Sequence, residues 1–580
     1  MNPETKQCNN CKNNFTIEPD DFSFYQKMGV PAPSFCPDCR FQRRLAHRND
    51  RSLYRRECGL CNKKILSIYH AGSEIKNVYC PECWWSDNWD PFSYEKEYDF
   101  SKDFFSQYLE FKKSVPHQAV YQSKFVDSEY SNFGTEYKNC YLVFGGYKNE
   151  NVCYGNFIGD VKDSSDVTLC LNLELSYENI NCFRSSSLRF CSNCEDSSDL
   201  ALCVDCKGCV SCFGCVGLRN KQHYIFNEKY SKEEYDTKIK ELNLGSYTNF
   251  TQLSKAFSEF ALKFPFRSSH NRNVVDCTGE DLQNSKNSLS SFWGNNLENV
   301  KNIFFVVNSK DSQDLTGVGS VTGISEQLYE ISSSFGGNFQ IVGIRTLFGQ
   351  NIYYSEDCHN CTNIFGCIGL KKKSYCIFNK QYSKEDYEAL LPKIISQMKE
   401  IHFSDKKGRT YTFGDFWPIE CSPFGYNETK VMEYFPLTKQ EIEEKGYNYF
   451  SKEIPNYQPT ILNENIPDDS SSVSDEILKE VIECGHKDCN HGCTRAFKII
   501  PNELQVIQRL GVPLPHLCPN CRHYERLKKQ NPIKLWHRQC MCNLEHHEHT
   551  GICPNEFETS YSPDRPEQVY CEKCYQQEVV

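Results

Sequence analysis

Sixteen cysteines near the two ends of the chain have the types and spacing of metal ligands. The N-terminal set is Cys8 and Cys11, then CPDC at Cys36 and Cys39, then Cys58 and Cys61, then CPEC at Cys80 and Cys83. The C-terminal set is Cys489, Cys493, Cys518 and Cys521, then Cys540, Cys553, Cys571 and Cys574. The two sets are one pattern written twice. Cys11, Phe15 and Cys36 match Cys493, Phe497 and Cys518 in register, and the step from Cys39 to Cys58 equals that from Cys521 to Cys540. Each quartet offers two short knuckles of two thiolates, the donor set of a tetrahedral zinc with sulfurs at about 2.3 Å. Four structural Zn2+ ions are therefore expected. Four thiolates leave no open coordination position for substrate or water, so the chemistry is structural.

The knuckles need elements to hold them. A proline directly after the first cysteine of CPDC, CPEC and CPNC fixes φ in a tight turn and lacks an N–H that is not needed there. The sequence turns helical after CPDC and CPNC, so a treble-clef-like ribbon is expected, with its second knuckle opening a helix. Segments of about 40 residues are too small for a core of their own, and metal stands in for it. A disulfide framework belongs mostly to secreted chains. MNPETKQCNN has no apolar signal core, and no apolar run reaches the roughly 18 residues of a membrane span, so a cytoplasmic, reduced protein with no membrane contact is expected. One quartet is irregular. MCNLEHHEHTGI separates Cys540 from Cys553, which makes Cys542 an alternative ligand to Cys540. His546, His547 and His549 ride in that insertion, where a solvated loop is preferred over an extra metal site. Cys484 and His486 read as spare.

The 580 residues imply several domains, and 24% charged residues fit a folded chain. Of 35 cysteines the quartets use 16, so 19 need another account. The net charge of −11 is uneven: residues 1–83 carry 13 Lys/Arg against 9 Asp/Glu and residues 484–574 carry 12 against 10, leaving −17 elsewhere. Contact with a polyanion must then be local. RFQRRLAHRNDRSLYRRE concentrates the basic charge between the first two quartets. Arg40, Arg43, Arg44 and His47 fall on one helical face, and Arg51, Arg55 and Arg56 continue it. Arg522, Arg526 and Lys529 repeat the stripe with Glu525 interrupting it. With Phe41 and Tyr54 beside it, such a helix suits phosphate backbone or single-stranded RNA. The competing reading pairs the same helix with the acidic middle of its own chain.

The middle holds a second duplication. CKGCVSCFGCVGLRNKQHYIFNEKYSKEEY from Cys206 returns as CHNCTNIFGCIGLKKKSYCIFNKQYSKEDY from Cys358, giving two halves of about 150 residues. Short units such as KNCYLVF, SDVTLC and GNFQIVGI read as strands too small to bury a face alone. Stacking them as coils of a parallel β-helix is the expected architecture, with Cys, Val, Phe and Tyr inward and Asn or Ser at corners. Paired β-sandwiches are the alternative. The run Cys203, Cys206, Cys209, Cys212, Cys215 resembles an iron–sulfur ligand run. Ser355 and Ile364 stand for Cys203 and Cys212 in the second half, which favours cysteine as buried filler. Ser231-x-x-Glu234 and Ser383-x-x-Asp386 are helix starts, another helix is expected from Thr438, and NENIPDDSSSVSDE from Asn463 reads as a linker. Trp84, Trp85 and Trp89 are read as packing between domains rather than as a binding patch.

The fold expected is thus mainly β, with a duplicated parallel β-helix or solenoid-like middle, treble-clef-like zinc-ribbon pairs at both ends and short connecting helices. The divisions are 1–90 and 483–580 for the ribbon pairs, 91–125 and 231–268 for connectors, 126–230 and 269–382 for the β halves, and 383–482 for helix and linker. FYQKMGVPAPSFCPDCRFQRRLAHRN, YCPECWWSDNWDPFSY, CFGCVGLRNKQ, GRTYTFGDFWP, CPNCRHYERLK and TSYSPDRPEQVYCEKCY resemble a family of long, cysteine-rich proteins of uncultured small-genome bacteria with zinc-ribbon domains at both ends. The resemblance covers nearly the whole chain and implies zinc ligands and a fold rather than an activity. Some relatives carry a CaiB/BaiF CoA-transferase label, but that fold is α/β and this chain has no βαβ rhythm. GxSxG, P-loop and HExxH motifs do not occur. The expected function is a non-catalytic zinc scaffold or adaptor. Its partner is RNA or a ribonucleoprotein through the arginine stripes, or protein alone, self-association included. A metal-dependent redox or transferase enzyme is the third class.

Overall fold

The computed structural model describes residues 2–318, 323, 325–451, 457–486, 489, 492–545, 547 and 549–579. Strand exceeds helix, 35% to 24%, in keeping with a mainly β chain. Most of it lies in two largely parallel sheets, one running from Gln122–Ser123 to Glu228–Lys229 and one from Arg272–Val275 to Lys380–Gln381. The pairing step is nearly constant. Asn132 faces Phe144, Phe144 faces Asn156, and Ser186, Ser198, Val210 and Gln222 follow one another, always twelve residues on. The second sheet keeps the step through Phe292 and Phe304 and through Thr362 and Ser374, with a larger one where Ser309 faces Ser325. Strands Asn156–Thr168, Leu171–Glu174, Tyr177–Ile180 and Phe183–Arg189 close a four-stranded parallel ring. Each sheet ends in an antiparallel turn written by the duplicated IFN segment, Tyr224 to Lys229 and Cys376 to Gln381.

The local backbone explains the composition. Every third residue over long stretches has a left-handed φ, as at Asn139, Asn151 and Asp163 (52°, 55° and 45°), where Asn and Asp cost least. Their side chains stack: Asn139 Nδ2 donates to Asn151 Oδ1 at 2.9 Å, and Asn151 Nδ2 to Asp163 Oδ1 at 2.8 Å. Inside, the thiols meet backbone carbonyls. Cys182 Sγ contacts the carbonyls of Ile180 and Cys191 at 3.4 and 3.6 Å, and Cys203 repeats this with Ala201 and Cys212. Serine does the same work, since Ser197 Oγ donates to Glu195 O at 2.7 Å and accepts the amide of Cys209 at 3.0 Å. Ser355, standing for Cys203, accepts the amide of Cys367 at 3.1 Å, and Ile364, standing for Cys212, is fully buried. Cysteine, serine and isoleucine thus occupy equivalent buried positions. Burial pushes the Cys376 thiol up to about 12.

Between and after the sheets come helices Lys232–Leu242, Tyr247–Ala261 and Lys384–Glu400, and a short one at Lys439–Glu444. Ser231, Ser383 and Thr438 cap the first, third and fourth of these, accepting the amides of Glu234, Asp386 and Glu441 as the sequence pattern predicts. The segment from Asn463 is not a free linker. Asp468 accepts from Ser246 and Thr248, and Ile466 and Ile477 are buried with the flank of the first sheet. Trp84 is fully buried, with its carbonyl accepting from Lys371 on the second sheet, while Trp85 stays half exposed.

Candidate metal centres

Each end carries two copies of one small device, a β-hairpin whose turn presents two cysteines, followed by a helix that begins between the other two. The hairpins are Glu4–Gln7 with Asn14–Ile17, Tyr54–Glu57 with Lys64–Ser67, Ile482–Glu483 with Ala496–Phe497, and Trp536–Gln539 with Glu556–Thr559. The helices are α1 (Pro37–Leu45), α2 (Pro81–Trp85), α3 (Pro519–Lys528) and α4 (Glu572–Val579). Cys36, Cys80 and Cys518 are the N-caps of α1, α2 and α3 with nearly identical angles, φ −65°, −63° and −63°. The proline after each is therefore the first helical residue, where its missing N–H costs nothing and the helix dipole favours thiolate. Gly29 and Gly511 end the helices before these caps at φ 68° and 58°, a left-handed turn that glycine takes without strain.

Four sulfur sets can hold an ion: Cys8, Cys11, Cys36, Cys39; Cys58, Cys61, Cys80, Cys83; Cys484, Cys493, Cys518, Cys521; and Cys540, Cys553, Cys571, Cys574. Within each, all four sulfurs lie within 4.8 Å of one another. Bonds of about 2.3 Å around a tetrahedral ion set its sulfurs about 3.8 Å apart. Cys11 to Cys36 is 3.7 Å, Cys61 to Cys80 is 3.9 Å and Cys493 to Cys518 is 3.9 Å. The second coordination layer repeats as well. The sulfur of the first cysteine accepts the amide of the third in every set: Cys8 from Cys36, Cys58 from Cys80, Cys484 from Cys518 and Cys540 from Cys571, all at 3.2 or 3.3 Å. Burial raises the Cys58 thiol, but amide hydrogen bonds from Cys61, Cys80 and Leu60 outweigh it and bring it down to about 7.

This repeat corrects one expected ligand. The first place in the third set belongs to Cys484, which follows its strand directly as Cys8, Cys58 and Cys540 follow theirs, and not to Cys489. Cys489 stands beside the set, its sulfur 3.6 Å from that of Cys521. The sequence signal was the Ile-Glu strand before Cys484, obscured by the longer knuckle. In the fourth set Cys540 takes the first place, and Cys542 lies next to it with His547 and His549; His546 falls outside the described residues.

The arginine stripes face inward. Arg40, Arg43, Arg44, Arg522 and Arg526 are at most 4% exposed, and the expected RNA surface is closed at these positions. On α1, Arg40 Nη2 meets Asp314 at 2.9 Å, Arg43 Nη2 and Arg44 Nη1 meet Glu330 at 2.7 and 2.9 Å, and Arg44 Nε donates to Thr316 Oγ1 at 3.0 Å. On α3, Arg522 Nη1 meets Asp166 at 2.8 Å and Glu503 at 2.7 Å. Arg526 Nη1 meets Asp166 at 2.6 Å and Glu178 at 3.1 Å, and its Nε donates to Thr168 Oγ1 at 3.3 Å. The docking of these two helices is crossed, with α1 on the second sheet and α3 on the first. Burial raises Asp415, beside Arg43, to about 6. Phe41 is buried against Phe304 and Phe435 and is closed to a base, while Tyr54, half-buried, donates its Oη to Glu428 at 2.6 Å. Arg51 is half-buried over Phe144 and Arg56 donates to the carbonyls of Ile75 and Lys76, while Arg55 and Lys529 are exposed. The acidic partners Asp166 and Asp314 occupy matching places in the two sheets. They are legible in the repeated words DSSDVT, from Asp163, and DSQDLT, from Asp311.

No family model matches the chain, and none of the curated proteins matches it. Among the described residues no helix is long and apolar enough to cross a membrane.

Proposed function

We propose that the chain is a non-catalytic, zinc-stapled scaffold in which a β-solenoid body is clamped at both ends by treble-clef zinc ribbons. The crossed docking carries this reading: the first and third clusters fix the starts of α1 and α3, whose arginines meet buried carboxylates of the opposite half, Asp314 and Glu330 for α1 and Asp166 for α3. Four thiolates, each set flanked by an amide-to-sulfur bond, match zinc in donor type and spacing. The twelve-residue step is what a solenoid coil of that length would give. The same features support the resemblance to double zinc-ribbon proteins.

A protein partner fits better than RNA, because the cations that would have met phosphate are neutralised inside. Elemental analysis of chain purified anaerobically without added metal tests the metal reading. Zinc filling the four quartets without iron is expected; stoichiometric iron would overturn it and bring a redox enzyme forward. Binding to single-stranded RNA that weakens steeply with salt would overturn the protein-partner reading.

A further inference from the structure

Beyond the four quartets, we propose a second metal site at the fourth cluster, built by Cys542, His547 and His549 and sharing the thiolate of Cys574. The ligand atoms of these four residues lie within 4.8 Å of one another, and Cys574 also belongs to the set with Cys540, Cys553 and Cys571. Cys542 Sγ is 2.9 Å from His547 Nδ1, and Cys574 Sγ is 3.5 Å from His549 Nε2. A sulfur and a nitrogen on one tetrahedral zinc, at about 2.3 and 2.0 Å, stand about 3.5 Å apart, the spacing of Cys574 and His549, while Cys542 and His547 stand closer.

The outer contacts set both imidazoles as ligands. His547 Nε2 is 3.0 Å from a Glu578 carboxylate oxygen, so the ring donates there and its Nδ1 lone pair faces Cys542. His549 Nδ1 is 2.9 Å from the carbonyl oxygen of Gly551, which can only accept, so the Nε2 lone pair faces Cys574. A loop that merely hung in solvent would have no reason to tie both distal nitrogens and aim both proximal ones at sulfur. Most of the site is inside: Cys542 and the His547 side chain are fully buried and Cys574 is 2% exposed, with His549 half-buried at its rim. The amide of Cys553 donates to the carbonyl of Cys542 at 2.8 Å and pins the base of the insertion.

Charge favours the second ion. Four thiolates around one divalent ion leave −2 in a buried cluster. A second divalent ion binding the Cys542 thiolate, whose proton goes to solvent, and two neutral imidazoles brings the pair of ions to −1, which is less costly to bury. A thiolate keeps further lone pairs after its first metal bond, so Cys574 can bridge. The mixed nitrogen and sulfur set selects Zn2+ among common divalent ions. The third cluster has a reduced form of the same device, since Cys489 lies beside Cys521, the counterpart of Cys574.

The test is zinc per chain, by elemental analysis of the full chain saturated with zinc and then desalted. Five ions are expected, four in the quartets and one here. His547→Ala with His549→Ala, and separately Cys542→Ser, should each lose one ion and keep the other four. Should a variant fail to fold, zinc X-ray absorption on the unaltered chain decides, with a nitrogen shell and a zinc–zinc distance expected. Four ions unchanged by the substitutions, or an all-sulfur shell, would overturn the second site alone. Zinc missing from the quartets themselves would instead overturn the reading under Proposed function.

Discussion

Arg44→Met separates an internal anchor from a surface arginine. Arg44, Asp314 and Glu330 are fully buried, and Arg44 Nη1 lies 2.9 Å from Glu330 and 3.6 Å from Asp314. Methionine fills much of the volume but leaves the two carboxylates one cation short. Removing one partner of a buried pair costs about 3–5 kcal/mol, against a total stability of about 5–15 kcal/mol. With a guanidinium slope of about 4 kcal/mol per molar, the unfolding midpoint should fall by about 1 M, followed by circular dichroism with zinc present. Adding Glu330→Gln restores the charge count but takes the 2.7 Å partner from Arg43, so it should recover only part of the loss. Lys529→Ala, at an exposed position, should stay within about 0.5 kcal/mol. An Arg44→Met midpoint within about 0.1 M of the parent would refute the internal-anchor argument and reopen α1 as a binding surface.

Three further outcomes are expected. Cys484→Ser should lose one zinc and the docking of α3, while Cys489→Ser keeps zinc at that quartet; the reverse result by elemental analysis would return the first position to Cys489. Cys206→Ser should fold with unchanged metal content, because serine makes the same carbonyl contacts at such sites, and a loss of metal would show that the interior thiols are ligands. His270 is buried, which lowers its pKa, but its 2.6 Å contact with Glu280 outweighs that and raises it to about 9. The raised folded pKa makes this contribution complete below about 6.5 and lost as pH rises through about 9. His270→Gln should flatten the fall in stability across that window, measured by denaturation at several pH values, and an unchanged slope would remove His270 as its source.

The metal pattern was legible because spacing encodes it. Cysteine pairs at fixed intervals with a proline inside have few structural uses, so fifteen of the sixteen expected ligands fall in the clusters. Cys489 was misplaced because longer knuckles broke the pair spacing, and the strand before Cys484 was the weaker clue. The twelve-residue step was not read, since Cys, Ser, Asn and Val alternate at positions whose only demand is a small buried group. Arg40, Arg43 and Arg44 share a helix face, as do Arg522 and Arg526, and both faces turn inward, while Arg55 and Lys529 stay exposed. Helical periodicity shows that Arg40, Arg43 and Arg44 share a side, but only the fold shows that Asp314 and Glu330 lie opposite. Sequence had offered pairing with the acidic middle as the alternative, and the repeated DSSDVT and DSQDLT words would have named the partners.

The most direct measurement is amide hydrogen exchange in α1 and α3 before and after zinc is removed by a chelator. If metal sets the start of each helix and so seats its arginines, protection over Arg40–Leu45 and Arg522–Lys528 should collapse together with that of the strands carrying Asp314 and Asp166. Protection that survives complete removal of zinc would contradict the metal clamp.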